Sequence, residues 1–204
     1  MPTKEKIKSV RGLRVFQNNH PAIRQLLDHD SSPEIHGDKI WFSSYLIMDY
    51  LDVSPLPRRP RVMEIGCGWG LLSVYCAKKF RASVTAVDAD PHVFPFVKLH
   101  ARENGVQVRT RTCRYEKIPP AMFRGLDLVA GGDICFWEEL VDPLYKCIKR
   151  AVDEGVGTII IADPGRPPFL KLAKRCKQQF GGLLMPYTIL KPMQKDGYLL
   201  TIYN

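Results

Sequence analysis

Arg61-Val-Met-Glu-Ile-Gly-Cys-Gly-Trp-Gly70, continued by the apolar Leu71 to Phe80 and then by Ser83-Val-Thr-Ala-Val-Asp88, decides the fold class. Val62 to Ile65 is a short apolar run of the kind that forms a buried strand. Gly66, Gly68 and Gly70 let the chain turn sharply and bring its backbone close to a ligand. Leu71 to Phe80 continues as a helix whose first N–H groups face that turn. A second apolar strand ends in Asp88, as in nucleoside-binding βαβ units, where the carboxylate accepts hydrogen bonds from a ribose diol. The glycine spacing departs from the dinucleotide fingerprint G-x-G-x-x-G, because the third glycine comes one residue early. A pyrophosphate cradle is therefore not expected.

Outward from this unit, strands and helices alternate, which indicates a parallel sheet with helices on both faces. Asp90-Pro91 reads as an N-cap followed by proline at the first helical position, opening a helix that Asn104-Gly105 closes. The pattern then predicts a strand over 106–112, a strand over 126–130, a helix over 138–153 and a strand over 158–162. A helix starts at Pro167 or Pro168 and ends near Gly181-Gly182. Residues 183–190 and 198–203 read as an antiparallel pair at the sheet edge. Upstream, Pro21 opens a short helix through Leu27, and 28–37 is loop. A second helix begins at Ser43 or Ser44, either of which can serve as N-cap. Residues 1–20 are rich in Lys and Arg and poor in apolar positions, and are expected to form a loosely held arm. The division expected is an N-terminal basic arm with a short helix, 1–37, and one α/β domain, 38–204.

Bulk composition narrows the function classes. The chain has 204 residues, of which 45% are hydrophobic and 25% charged, as in ordinary globular proteins. No apolar run reaches the roughly 20 residues that span a bilayer. The basic N-terminus lacks the apolar stretch of a signal peptide, so a cytoplasmic protein without membrane attachment is expected. Six cysteines show no C-x-x-C pair and no clustering with histidine, which argues against structural zinc or a disulfide framework. No metal site is expected. Cys67 sits between two glycines and invites a nucleophilic role, but a small side chain tolerated in a crowded loop is the favoured reading. The net charge of +9 suits an acidic partner or an ordinary basic surface equally.

Glu64-x-Gly66-x-Gly68-x-Gly70, with its flanking strands and Asp88, resembles motif I of the class I S-adenosylmethionine-dependent methyltransferases. The resemblance implies a seven-stranded, mostly parallel, Rossmann-like sheet ending in an antiparallel hairpin. It implies S-adenosyl-L-methionine as cofactor and S-adenosyl-L-homocysteine as product. Glu64 would then lie near the cofactor's amino group, Asp88 on the ribose, and Gly66, Cys67, Gly68, Trp69 and Gly70 along the methionine part, with Ala89 beside Asp88. The stretch 112–116 carries no Asp, so adenine is left to groups near Cys113 and Arg114, or to Glu116. Tyr115 reads equally well as core.

Leu126-Asp-Leu-Val-Ala-Gly-Gly-Asp-Ile-Cys-Phe-Trp137 places an acidic residue at a strand end with an aromatic three residues on. This is similar to the D-x-x-Y/F element of the family 16 methyltransferases, a group that includes protein lysine methyltransferases. Trp41-Phe42 before motif I and Ala162-Asp-Pro-Gly-Arg-Pro167 look most like the electron-transfer-flavoprotein β-subunit lysine methyltransferase branch. Phe136 stands where many relatives carry tyrosine, so no role is given to a hydroxyl there. The resemblance implies an N-methyltransferase acting on a protein lysine or arginine. Asp133 would orient the acceptor and take its proton, with Phe136, Trp137, Trp41 and Phe42 as an apolar wall, and Asp133 and Trp41 would also touch the cofactor. Asp133 also reads as a helix cap, and Asp163 shares that alternative. RNA or a small amine or pyridine of the nicotinamide type is the alternative acceptor, although no N-P-P-Y tetrapeptide points to nucleic acid. A non-catalytic module of the same fold is the alternative class.

Overall fold

The computed structural model describes residues 6–28, 33–35, 37–191 and 193–204. Its centre is a seven-stranded sheet built from β3 (Arg61–Ile65), β4 (Ser83–Asp88), β5 (Arg109–Thr112), β6 (Leu128–Gly132), β7 (Thr158–Asp163), β8 (Leu183–Ile189) and β9 (Lys195–Tyr203). The spatial order is β5-β4-β3-β6-β7-β9-β8. The first five are parallel, and β9 runs antiparallel to both β7 and β8. The chain builds outward from β3 through β4 to β5, then returns to place β6 on the other side of β3. That reversal is the switch point at which open α/β sheets bind ligands.

Helices cover both faces. They are α1 (Pro21–Leu27), α2 (Ser43–Val53), α3 (Leu71–Lys79), α4 (Phe94–Glu103), α5 (Val141–Asp153) and α6 (Pro167–Phe180). The period-2 alternation of strands divides the core between the two faces. Val62, Ala130, Ile160 and Ala162 pack with Leu46, Ile47 and Leu51 of α2 and Leu72 and Tyr75 of α3. Met63, Ile65, Val129, Ile159 and Ile161 turn the other way, onto Leu144, Cys147 and Ile148 of α5 and Phe169 and Leu172 of α6. All six cysteines are free thiols, and five are buried. No helix among the described residues is long and apolar enough to cross a membrane. Nor, among them, does any group of three or more His, Cys, Asp or Glu stand where it could hold a metal ion.

The described part of the N-terminal segment is not a loose arm. β1 (Ile7–Val10) and β2 (Leu13–Phe16) form a hairpin in which Val10 faces Leu13. Arg11 and Gly12 at its tip both have positive φ, 49° and 77°, the conformation a tight two-residue hairpin turn demands. Val10, Leu13 and Val15 join the core beneath α2 and α3, while Phe16 packs with Ile23, Trp69 and Phe96. Arg11 ion-pairs with Asp49 and Asp52 of α2, and the amide of Asn104 exchanges two hydrogen bonds with the backbone of Arg14. Charge content suggested solvation; the spacing Val10-x-x-Leu13-x-Val15 around Arg-Gly was the better guide. Lys4, the first basic residue of the expected arm, lies outside the described residues.

Element boundaries shift in ways that have local causes. β5 begins at Arg109 rather than 106, since the Val106 amide bonds back to Ala101 O of α4 (3.0 Å). β6 begins at Leu128 and runs on to Gly132, and just before it the Asp127 carboxylate accepts from the Arg61 amide (2.6 Å). The helix expected from 138 opens with a single 3-10 turn over Glu138–Leu140. Neither Ser43 nor Ser44 caps α2, which has no side-chain cap from its own segment. The cap comes from Asp133, ninety residues away.

Candidate active site

The carboxyl ends of β3, β4 and β6 open into one cleft of about 210 Å³. β4 and β6 flank β3, so their ends stand roughly 10 Å apart, and each contributes an aspartate. Among the residues expected at the site, the cleft is lined by Trp41, Gly66, Gly68, Asp88, Ala89, Arg114, Asp133, Phe136 and Trp137; Tyr115 and Glu116 join them.

The side formed by the ends of β3 and β4 is built mainly from backbone. Gly66, Gly68 and Gly70 have φ of 63°, 49° and 70°, values that carry a steric cost for any residue with a Cβ. Gly68 lines the cleft, and a Cβ added there would meet nothing within 4 Å. The Gly68 N–H donates to Asp88 Oδ2 (2.9 Å) and the Asp90 N–H to Asp88 Oδ1 (3.0 Å). Asp88 thus has its orientation fixed while lone pairs remain on its oxygens. Burial raises its pKa. The capping role belongs to Asp90, whose Oδ1 accepts from the His92 amide (2.9 Å) and whose Oδ2 accepts from the Glu34 amide (2.7 Å).

Five expected residues do not line the cleft. Glu64 is buried beneath α3, accepting from the Ser73 amide (2.9 Å) and Ser73 Oγ (2.5 Å) with one oxygen. Burial pushes its carboxyl up to about 8. The Trp69 indole donates to Gly37 O (2.7 Å) and stacks on Phe96 at 4.8 Å, so its ring supports the loop from behind. Cys67 is buried, and burial pushes its thiol well above the usual range, which leaves it without nucleophilic character. Gly70 starts α3, and the Cys113 thiol bonds the neighbouring Arg114 carbonyl.

The opposite side is built from side chains of three distant segments. Asp133 has a left-handed backbone, φ 56°, uncommon for a residue with a Cβ and costing about 1–2 kcal/mol. Its N–H bonds Ala162 O (2.9 Å). Its Oδ2 accepts from the Ser43 amide at the start of α2 (2.8 Å) and its Oδ1 from Arg166 Nη1 (2.8 Å). Gly132 makes the first of these contacts attainable: a Cβ there would come within 2.9 Å of the Ser44 nitrogen. Arg166 Nη1 also donates to Asp163 Oδ2 (2.7 Å), while Asp163 Oδ1 takes the amides of Gly165 (2.8 Å) and Arg166 (2.7 Å). Burial works against the Arg166 charge, but its bonds to Asp133 and the charge of Asp163 outweigh that and raise its pKa. Above this group the Trp41 and Phe136 rings meet edge to face at 5.1 Å, and Phe136 approaches Trp137 at 5.8 Å. The Arg166 guanidinium lies 4.6 Å over Phe136. Trp137 remains half exposed at the mouth.

Sequence reading missed Ile35, Gly37, Gly132, Ile134 and Leu140 among the lining residues. Arg166 lies within the strand-end motif, which by itself assigns it no role. Its partner Asp133 lies 33 residues away, beyond the reach of any local pattern.

Residues 62–155 match the family model described as a methyltransferase domain. Over that stretch, which holds the glycine loop, Asp88 and Asp133, the chain is similar to methyltransferase domains. Among curated relatives, the ubiquinone biosynthesis O-methyltransferase of Xanthomonas axonopodis pv. citri (strain 306) is 35% identical over 133 residues, 65% of this chain. The chain spans about half of that relative, 51% of its length. Among solved structures, TrmN from Thermus thermophilus superposes with a TM-score of 0.63 at 16% identity, covering 79% of this chain and 48% of TrmN. The precorrin-8W decarboxylase of Methanobacterium thermoautotrophicum gives 0.62 at 13% identity, covering 81% and 92%. Both structures share the fold.

Proposed function

We propose that this protein transfers the methyl group of S-adenosylmethionine to the nitrogen of a protein side chain, lysine being the favoured acceptor and arginine the next. The observation that carries this reading is the net negative group Asp133–Arg166–Asp163 set against the aromatic wall of Trp41, Phe136 and Trp137. Bound in the cleft, the cofactor supplies an activated methyl on a positive sulfur. Asp88 would hold the ribose hydroxyls and the Gly66–Gly68 backbone the methionine part. The open space beside Gly68 and the free lone pairs of Asp88 fit that group.

Methyl transfer to a neutral amine would leave a cation at the acceptor nitrogen. Two carboxylates with one guanidinium leave one negative charge to receive it, and aromatic faces attract cations further. Asp133 orients the amine and takes up its proton. The apolar wall disfavours the ammonium form that a lysine, with a reference pKa of about 10.4, otherwise keeps. An acidic protein surface suits the net charge of +9.

A second reading, O-methylation of a hydroxylated aromatic ring, is favoured by the name of the curated relative and by the aromatic wall, on which a ring could stack. It asks more of this site, because a phenolate beside two carboxylates is repelled. Purified protein and methyl-labelled cofactor, incubated with a lysate of a strain lacking the gene, separate the two. Label retained in protein and released as methyl-lysine or methyl-arginine is the expected result. Label in solvent-extractable quinones or phenols would replace this reading by the second, and label lost to nuclease would replace both.

A further inference from the structure

Arg166 does not line the cleft, yet it touches the groups that do. A single nitrogen, Nη1, bonds Asp133 at 2.8 Å and Asp163 at 2.7 Å. The guanidinium plane covers Phe136 at 4.6 Å and reaches Trp41 at 6.0 Å. Its side chain is a quarter exposed, whereas the two aspartate side chains are almost fully enclosed, at 2% and 1%. The guanidinium therefore sits between two buried carboxylates and the wall against which an acceptor rests. Left alone, a buried carboxylate at the methyl-transfer point would hold an amine as its ammonium ion, which has no lone pair to attack with. A permanent positive charge behind Asp133 offsets that field without itself entering the cleft.

We infer that Arg166 is a positioning residue that sets the charge at the methyl-transfer point, holding Asp133 in place on the Ser43 amide and keeping the acceptor amine neutral. This deepens the amine reading of the preceding section and rests on it. Without Arg166 the amine would titrate at higher pH, and methylation would need more alkaline solution. With lysine in its place the charge remains but the double contact is lost, so the position of Asp133 would loosen while the pH profile stays near that of the native chain.

Sinefungin provides a test that needs no acceptor. In this cofactor analogue a carbon bearing a primary amine stands in place of the sulfonium and its methyl group, and S-adenosylhomocysteine lacks that amine. The affinity ratio of the two ligands, measured by calorimetry from pH 6 to 10, reports the field felt by an amine at the transfer point. Arg166→Gln should raise the preference for sinefungin roughly tenfold and move its pH dependence upward, the size of effect one nearby charge has on a titrating group. Arg166→Lys should restore the native ratio. Asp163→Asn removes a negative charge and should move the ratio the opposite way, which keeps the test decisive if the glutamine variant does not fold. An unchanged ratio in the variants that fold, or equal weakening of both ligands, would make Arg166 scaffold only and overturn the inference. The acceptor assay is read separately. Labelled methyl-lysine with an unchanged ratio overturns the role of Arg166 alone. A shifted ratio without labelled amine keeps that role and removes the amine acceptor.

Discussion

The two sides of the cleft are made differently. The side that ends β3 and β4 is a loop of backbone amides braced from behind by buried rings: Trp69 stacks on Phe96, and the His100 imidazole lies 5.9 Å from Trp69. The side that ends β6 and β7 is a cluster of charged and aromatic side chains brought from residues 41, 133–137 and 166. A loop whose work is done by the main chain tolerates few residue types and concentrates its signal in ten consecutive positions. A wall of side chains can be assembled from anywhere the fold brings together. One side is therefore suited to a constant ligand, and the other to an acceptor that differs between proteins sharing the fold.

The largest expected effect separates the two sides by pH. His100 is wholly buried; its Nδ1 faces Phe96 O at 2.9 Å, and its Nε2 accepts the Phe16 amide at 3.3 Å, so it is held neutral. Burial lowers its pKa from 6.5 to about 4. The unfolded chain binds a proton below about 6.5 that the folded chain refuses until about 4. The stability due to neutral His100 is thus fully present above 6.5 and falls by about 3 kcal/mol as pH drops to 4. Glu64 works in the opposite sense. Its pKa is raised to about 8, so its contribution is full below the unfolded carboxylate range and is lost as pH rises toward 8. Urea unfolding at pH 4.5 and 7.5 should show His100→Gln with a flatter loss on acidification than the native chain, and Glu64→Gln with a steeper one. Parallel slopes in all three would show that the loop side is not braced by these buried groups.

Next in size is Asp88→Ala. Removing hydrogen bonds from a charged group should weaken S-adenosylhomocysteine by about 1.5–3 kcal/mol, roughly 10- to 150-fold in Kd. The variant should leave the wall intact, so Trp137 fluorescence in the ligand-free protein should not change. Unchanged affinity would take Asp88 out of the ligand site.

Asp133→Asn probes the other side. Asparagine can keep the Ser43 bond, but its amide nitrogen cannot accept from Arg166. Turnover on the labelled acceptor at saturating cofactor should fall roughly ten- to a hundredfold, with the affinity for S-adenosylhomocysteine kept. If affinity falls and turnover at saturation does not, Asp133 serves the cofactor. If neither moves, its role is the trans cap of α2.

This contrast also explains how much could be read from residues alone. The α/β class, the strand count, the switch from parallel strands to a terminal hairpin and the lining roles of Gly66, Gly68 and Asp88 follow from short patterns. In these, apolar runs, glycine spacing and the strand-end acid lie within thirty residues of one another. Asp133, Phe136 and Trp137 were legible because they too form one short run. The Ser43 amide as the partner of Asp133, and Arg166 as its counter-ion, were not: both depend on which strand ends adjoin, which pattern reading does not supply. The hairpin of β1 and β2 was misread for a different reason. Its basic residues suggested solvation, yet Arg11 is spent on Asp49 and Asp52, while the apolar residues between the charges face inward.

The finest test compares two glycines of the loop, because one touches the wall and the other does not. A Cβ at Gly66 would come within 2.5 Å of Ile134 Cγ2, on the segment that carries Phe136 and Trp137, whereas a Cβ at Gly68 would meet nothing. Both have positive φ, so each alanine carries a similar backbone cost of about 1 kcal/mol. Gly68→Ala should lose only about that much stability while its methyl group narrows the cleft and weakens S-adenosylhomocysteine. Its Trp137 emission should match the native protein. Gly66→Ala must push Ile134 aside, so it should lose further stability and shift the tryptophan emission before any ligand is added. If the two variants behave alike in both measurements, loop and wall move as one body, and the division of the cleft into a backbone side and a side-chain side has no mechanical meaning. If only Gly66→Ala reaches the wall, Ile134 is the contact through which the cofactor loop registers with the acceptor side.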